Sequence, residues 1–154
     1  MPVNEKPRMR ILVPTDGSVA ARKAEGYALK LARMIGGRVM ALHVVEHRED
    51  PLRRLWLHVR NELLGHAQSD GVDIIEELKE LGKREGVEVE GMIRKGRPSE
   101  EILRYVSENR DLDLIIIAPR KMGLFSRLLL GSTTERLVRE IGKLVSCPVL
   151  ITPP

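Results

Sequence analysis

The residues best able to do chemistry lie between Leu114 and Thr152 and in a turn near the start of the chain. Gly131, Ser132 and Thr133 precede an amphipathic run, and Ser132 with Glu135 three residues on is a capping-box pattern. A helix N-terminus presents free backbone N–H groups and a partial positive charge, and a glycine before it lets the backbone approach an anion closely. Arg120, Lys121 and Arg127 add charge to the same loop. The chemistry on offer is binding of a phosphate-bearing small molecule. The plain alternative is that Gly131 and Ser132 only cap a helix, and on the loop alone that reading weighs more, because short motifs recur by chance. Asp16, in Thr15-Asp16-Gly17-Ser18, has a similar pair of readings. It can bind a ribose or a metal-bridged phosphate, or serve as an Asx-type turn ahead of a helix.

Other reactive side chains lack partners at useful spacing. His43, His47, His58 and His66 form no ligand cluster, so no metal site is expected. Cys147 stands before Pro148 with no base nearby in the pattern and reads as a buried, inert thiol. Ser132 is not in a nucleophile elbow, and the loop has no Walker lysine. With no set of nucleophile, base and orienter, no catalytic residue is named and an enzyme is not expected. Slow ATP hydrolysis stays open.

The elements that must position these residues follow from the apolar pattern. Arg10–Pro14, Val39–Val45 and Leu114–Ala118 are short apolar runs, as expected of strands buried on both faces. Val87–Arg94 alternates apolar with polar, which predicts a strand at a sheet edge, and Val149–Thr152 predicts a last strand. Helices are predicted between them. After Ser18 the buried face is expected to hold Ala24, Tyr27, Ala28, Leu31, Ala32 and Ile35. Val72–Lys83 carries Val72, Ile75, Leu78 and Leu81 on one stripe, and Pro98 opens a helix that buries Ile102, Leu103 and Val106. The last helix presents Leu137, Val138, Ile141, Leu144 and Val145. Leu52–Leu64 is also expected to be helical, with no assigned packing. Strands alternating with helices predict an α/β fold, an open doubly wound parallel sheet with helices on both faces. Ligands bind such sheets beyond the carboxyl ends of the strands, where the strand order reverses. Residues 1–9 are expected to be an extension and 10–154 one domain.

Composition limits the partners. Net charge is +4 and the pI about 9.5, yet the charges are interleaved and only one Trp, two Tyr and one Phe are present. That is poor material for stacking on bases, so nucleic acid is not expected. Residues 1–9 hold no apolar core and no apolar run approaches a membrane span, so a cytoplasmic protein without membrane contact is expected. A single cysteine rules out a disulfide within the chain.

In order along the chain, RILVPTDGS, LHVV, KGRPSEEIL and LLLGSTTERLVREIGKLVSCPVLIT resemble the universal stress protein family over Arg10 to Thr152. The resemblance implies an adenine nucleotide alpha hydrolase-like sheet of order 3-2-1-4-5. It also implies a homodimer paired through the last strand, Cys147–Thr152, and a role in sensing or stress response. Members that bind ATP, with Mg2+, carry G-x-x-G-x9-G-[ST] after the fourth strand. Here Gly131-Ser132 matches the end of that pattern, but Ala118 and Lys121 stand at the other two glycine positions. Pro14, Thr15, Asp16 and Val44 match positions that line the nucleoside. A residue such as Lys121 forced to positive φ costs on the order of 1–2 kcal/mol. A charge-assisted hydrogen bond from Arg120 or Lys121 returns roughly 1.5–3 kcal/mol. The two effects are similar in size, and the expectation is a nucleotide or another phosphate-bearing ligand held in an altered pose by Ala118, Arg120, Lys121, Gly131, Ser132 and Thr133. The alternative is a dimeric protein-interaction module of the same fold that does not bind ATP.

Overall fold

Each apolar run becomes a strand because its side chains are buried on both faces, as Ile11, Leu12 and Val13 are. The computed structural model describes residues 8–46, 55, 59, 71–119 and 132–153. Its elements are β1 (Arg10–Pro14), α1 (Val19–Ile35), β2 (Arg38–Glu46), α2 (Val72–Glu85) and β3 (Val89–Gly96). They continue as α3 (Pro98–Glu108), β4 (Leu114–Ile117), α4 (Ser132–Leu144) and β5 (Val149–Ile151). The loop Arg120–Gly131 lies outside the described residues. So does the segment Leu52–Leu64 apart from Leu55 and Val59, which are helical and exposed.

The strands form one sheet of order β3-β2-β1-β4-β5, with every pairing parallel. This is the order the family resemblance implies, and β3 is at an edge as its alternation predicts. Successive strand residues face opposite ways, so two cores result. Ile11, Val13, Val39, Ala41 and Ile116 meet α1 and α2 through Ala24, Ala28, Leu29, Ile75 and Leu78. Leu12, Met40, Leu42, Ile115 and Ile117 meet α3 and α4 through Ile102, Tyr105, Val106, Leu137 and Ile141. The order reverses between β1 and β4, which places the switch point at the carboxyl end of β1.

Local signals set the helix ends. Ser18 Oγ accepts the Ala21 N–H at 3.2 Å, and Gly36 closes α1 in the left-handed region with φ 68°. Asn109 ends α3 by donating its side-chain amide to Tyr105 O at 2.8 Å.

The buried stripes are narrower and differently phased than the apolar pattern predicts. On α1 they are Ala21, Ala24, Glu25, Ala28, Leu29 and Ala32, whereas Tyr27 and Ile35 are exposed. Alanines let the helix lie close to the sheet, and Tyr27 points about one quarter-turn away from Ala28. On α2, Val72 and Leu81 are exposed, while Gly82 is buried beside β3. An edge strand offers a helix only a narrow floor. On α4, Thr134, Leu137 and Ile141 are buried, and Val138 and Leu144 are exposed. The last strand is shorter than Val149–Thr152, although its ladder runs from Pro148 O, accepting from Ile115 N–H, to Thr152 N–H, donating to Ile117 O.

Three helical glycines give a test of this packing. A Cβ on Gly82 would lie 2.8 Å from Val87 O and 2.4 Å from Val89 Cγ2, but one on Gly26 or Gly142 would meet nothing within 4 Å. Gly26→Ala and Gly142→Ala are each expected to stabilise by about 0.5–1 kcal/mol. Gly82→Ala is expected to destabilise by about 1–3 kcal/mol, because overpacking exceeds the gain in propensity. At about 2–4 °C per kcal/mol, thermal melts resolve the signs, and a stabilised Gly82→Ala would contradict the close α2–β3 contact.

Candidate functional site

Thr15 follows β1 at the switch point and is only 5% exposed, so each of its polar groups needs a partner. Its N–H donates to Leu42 O on β2 at 2.9 Å. Its carbonyl accepts from His43 Nδ1 at 2.8 Å. Since a carbonyl can only accept, the proton is on Nδ1. Its hydroxyl donates to Glu25 Oε1 on α1 at 2.5 Å and accepts the Gly17 N–H at 3.2 Å. Ser18 N–H then donates to Asp16 Oδ1 at 3.0 Å. This is the Asx-type turn, and it holds the exposed Asp16 carboxylate in a fixed direction.

The supports of this turn are themselves packed. A Cβ on Gly71, which caps the N-terminus of α2 with φ 81°, would lie 2.0 Å from His43 Cδ2. Only glycine lets α2 start against the imidazole at that backbone angle. Glu25 is 1% exposed. Its Oε2 is 3.6 Å from Arg22 Nη1, and Arg22 also pairs with Glu77 of α2. Burial raises the Glu25 pKa above its ordinary value, against the opposing pull of the Thr15 hydrogen bond and Arg22; Glu77 and Asp16 push it further up.

The expected site residues divide by face. Pro14, paired in register with Leu42, continues the Leu12 face, and Val44 packs on that same α3/α4 core. Val44 is paired in register with Arg94, whose guanidinium lies 5.0 Å from the Tyr105 ring centroid and 2.5 Å from Glu108 Oε2. Ala118, just past β4, packs instead on the α1/α2 core. Pro14, Thr15, Asp16 and Val44 therefore meet at the carboxyl ends of β1 and β2. Ser132 and Thr133 form the first turn of α4. Arg120, Lys121 and Gly131 lie outside the described residues. Ser132 opens α4, and Glu135 Oε1 pairs with Arg139 one turn on at 2.7 Å. Cys147 is partly buried, its Sγ 3.8 Å from Pro148 O, and burial with Asp113 nearby raises its pKa.

Apolar periodicity does not find Glu25 or His43. Each leaves a signal all the same: a carboxylate within an alanine stripe and an imidazole within VMALHVV. Among the described residues no group of three or more His, Cys, Asp or Glu could hold a metal ion, and no helix is long and apolar enough to cross a membrane.

The model of the Universal stress protein family matches residues 7–153. A universal stress protein of Methanocaldococcus jannaschii is 28% identical over 145 residues, covering 92% of this chain and 80% of that protein. The solved structure of a universal stress protein from Lactobacillus plantarum is similar with a TM-score of 0.71 at 24% identity, covering 96% of this chain and 99% of the other. A universal stress protein of Archaeoglobus fulgidus solved in complex with dAMP has a TM-score of 0.61 at 18% identity, covering 95% and 98%. A further universal stress protein structure, in complex with cAMP, has a TM-score of 0.62 at 18% identity, covering 96% of this chain and 98% of the other.

The raised Glu25 pKa has a definite sign in stability. A carboxyl whose folded pKa exceeds the unfolded value adds stability that is fully present below the unfolded pKa and is lost as pH rises through the folded one. Glu25→Gln keeps an acceptor for Thr15 without a charge to desolvate. At pH 8 the variant is expected to melt at or above the parent. That advantage shrinks as pH falls through the raised folded pKa towards the ordinary value of 4.5. Melts at a series of pH values check this, and a difference independent of pH would mean that Glu25 is not a strained buried charge.

Proposed function

Because this chain belongs to the universal stress protein family, we propose that it is a cytoplasmic nucleotide-binding module with a sensing or regulatory role in stress response. Its ligand is an adenine nucleotide, ATP with Mg2+ in the first instance. The observation that carries this reading is the Asp16 carboxylate, exposed at the switch point and aimed by the Ser18 N–H at 3.0 Å. A carboxylate has about four lone-pair directions, so capacity for ribose hydroxyls remains after that bond. Pro14 and Val44 offer an apolar wall on the same face for the base, with the Thr15 backbone between them. Gly131, Ser132 and Thr133 would meet the phosphates at the start of α4, with Ala118, Arg120 and Lys121 completing the altered loop. The dAMP and cAMP complexes of similar proteins support an adenine nucleotide as the class. No side chain of this set is assigned a catalytic role.

A second reading, a dimeric interaction module, is favoured by the β5 edge. Among the described residues β5 pairs only with β4, and its Leu150 and Ile151 are exposed. We propose that a second copy pairs there, through Val149–Ile151 of the Cys147–Thr152 segment.

Protein denatured directly after purification is expected to release an adenine nucleotide identifiable by mass spectrometry. Loss of the charge-assisted contact in Asp16→Ala should weaken Mg-ATP by about 10- to 100-fold, and Gly131→Val should weaken it comparably. Undiminished thermal stabilisation by Mg-ATP in both variants would refute the site. A parent that ignores Mg-ATP, with binding gained in Ala118→Gly/Lys121→Gly, would favour the interaction module. Light scattering is expected to give twice the 17.4 kDa chain mass, and a monomer would remove the β5 pairing.

A further inference from the structure

Two elements, β2 and α1, converge on Thr15, and only α1 controls its side chain. The β2 backbone and His43 fix the peptide groups on either side of the residue. The χ1 angle is left to α1. There Glu25 Oε1 receives the hydroxyl proton at 2.5 Å, which turns the oxygen lone pairs towards the Gly17 N–H at 3.2 Å. Gly17 sits at φ 72°, and the next N–H, of Ser18, aims Asp16. We propose that Glu25 is a positioning residue for the candidate site: its buried carboxylate sets the Thr15 rotamer and, through it, the Gly17–Ser18 turn that presents Asp16 to ligand. The ligand in this inference rests on the nucleotide reading given above; the chain from Glu25 to Gly17 rests on geometry alone.

The chemistry explains why an acceptor is needed at this position. An ionised carboxylate only accepts, so the hydroxyl must donate towards α1 and cannot spend its proton on a neighbouring carbonyl. A side chain without an acceptor leaves a buried hydroxyl unmatched, and the hydroxyl regains its proton by rotating away from Gly17. Arg22 and Glu77 bracket the carboxylate from α1 and α2, and Asp16 lies on its turn side. Position 25 therefore needs an oxygen acceptor of glutamate length, and glutamine meets that need as well as glutamate.

The test uses Thr15→Val, Glu25→Met, their double variant and Glu25→Gln, with Mg-ATP as the probe and calorimetric titration well below each melting temperature. Either single variant also leaves one buried polar partner unmatched, whereas the double replaces both with apolar groups of similar shape and should melt near the parent. Both singles and the double are expected to weaken Mg-ATP by about tenfold, non-additively, because they break one chain. Glu25→Gln should stay within about threefold. In parallel, amide exchange at Gly17 and Ser18 should speed up by about tenfold or more in the double variant and stay near parental in Glu25→Gln. A double variant with parental affinity and parental exchange overturns the proposal. So does a Glu25→Gln protein as loose as Glu25→Met. If the parent itself does not bind Mg-ATP, the nucleotide reading fails, and the exchange rates alone decide whether Glu25 positions the turn.

Discussion

A threonine buried at the end of a central strand cannot leave a polar group unpaired, and much of this molecule is arranged around meeting that demand. β2 supplies a carbonyl for the Thr15 N–H and an imidazole for its carbonyl. α1 supplies the Glu25 carboxylate for its hydroxyl. The imidazole in turn needs the space left by Gly71, so the start of α2 is fixed by a residue in β2. The carboxylate can reach Thr15 because Ala21, Ala24, Ala28 and Ala32 let α1 settle closely on the sheet. Larger residues in that stripe would hold the helix, and Glu25 with it, farther from the turn. One local requirement for satisfied hydrogen bonds thus ties together β1, β2, α1 and α2.

The arrangement sets opposing energies against each other. Burying an ionised carboxylate is costly, and a partner at 3.6 Å such as Arg22 offsets this only in part. Burial accordingly dominates and the Glu25 pKa is raised. An apolar residue in its place would remove the cost of burying a charge and would release the turn. A site that presents an exposed carboxylate at a switch point gains more from a fixed turn than from the last increment of stability. Asp16 itself spends one oxygen on Ser18 N–H, which fixes its direction before any ligand arrives.

Much of the fold was legible in the sequence because burial on both faces writes itself as an apolar run. Ile11–Val13, Val39–Leu42 and Ile115–Ile117 are buried as their composition indicates. Helix faces were less legible. Tyr27 and Leu81 are apolar at helical spacing yet exposed, because hydropathy gives the period of a stripe and tertiary contact gives its phase. The site was legible where a turn has its own chemistry. Asp16 and Ser18 hold the roles their types favour, Asx turn and N-cap. Glu25 and His43 were less so: a carboxylate in an amphipathic helix normally reads as solvated, an imidazole in a buried strand reads as plain core, and it is contact with Thr15 that gives both their role. Lys121 and Gly131 belong to a segment that lies outside the described residues, and spacing alone does not specify its geometry.

The two edges of the sheet are built differently, and that difference bears on assembly. β3 carries Glu90, Arg94 and Lys95 within eight residues, with Arg38 bridging to Glu90 and Arg94 held between Glu108 and the Tyr105 face. Charges along an edge strand discourage pairing with a second sheet. β5 has none: it reads Val-Leu-Ile, and two of its three side chains are exposed. Its shortness limits what a second strand could gain from the ladder alone, so a stable pairing there would draw on apolar contact around Leu150 and Ile151 as well as on main-chain bonds. β1, whose carboxyl end carries the Asp16 turn, is the central strand and lies two strands from either edge, so a partner paired along β5 would stand off from that turn by the width of β4 and β5.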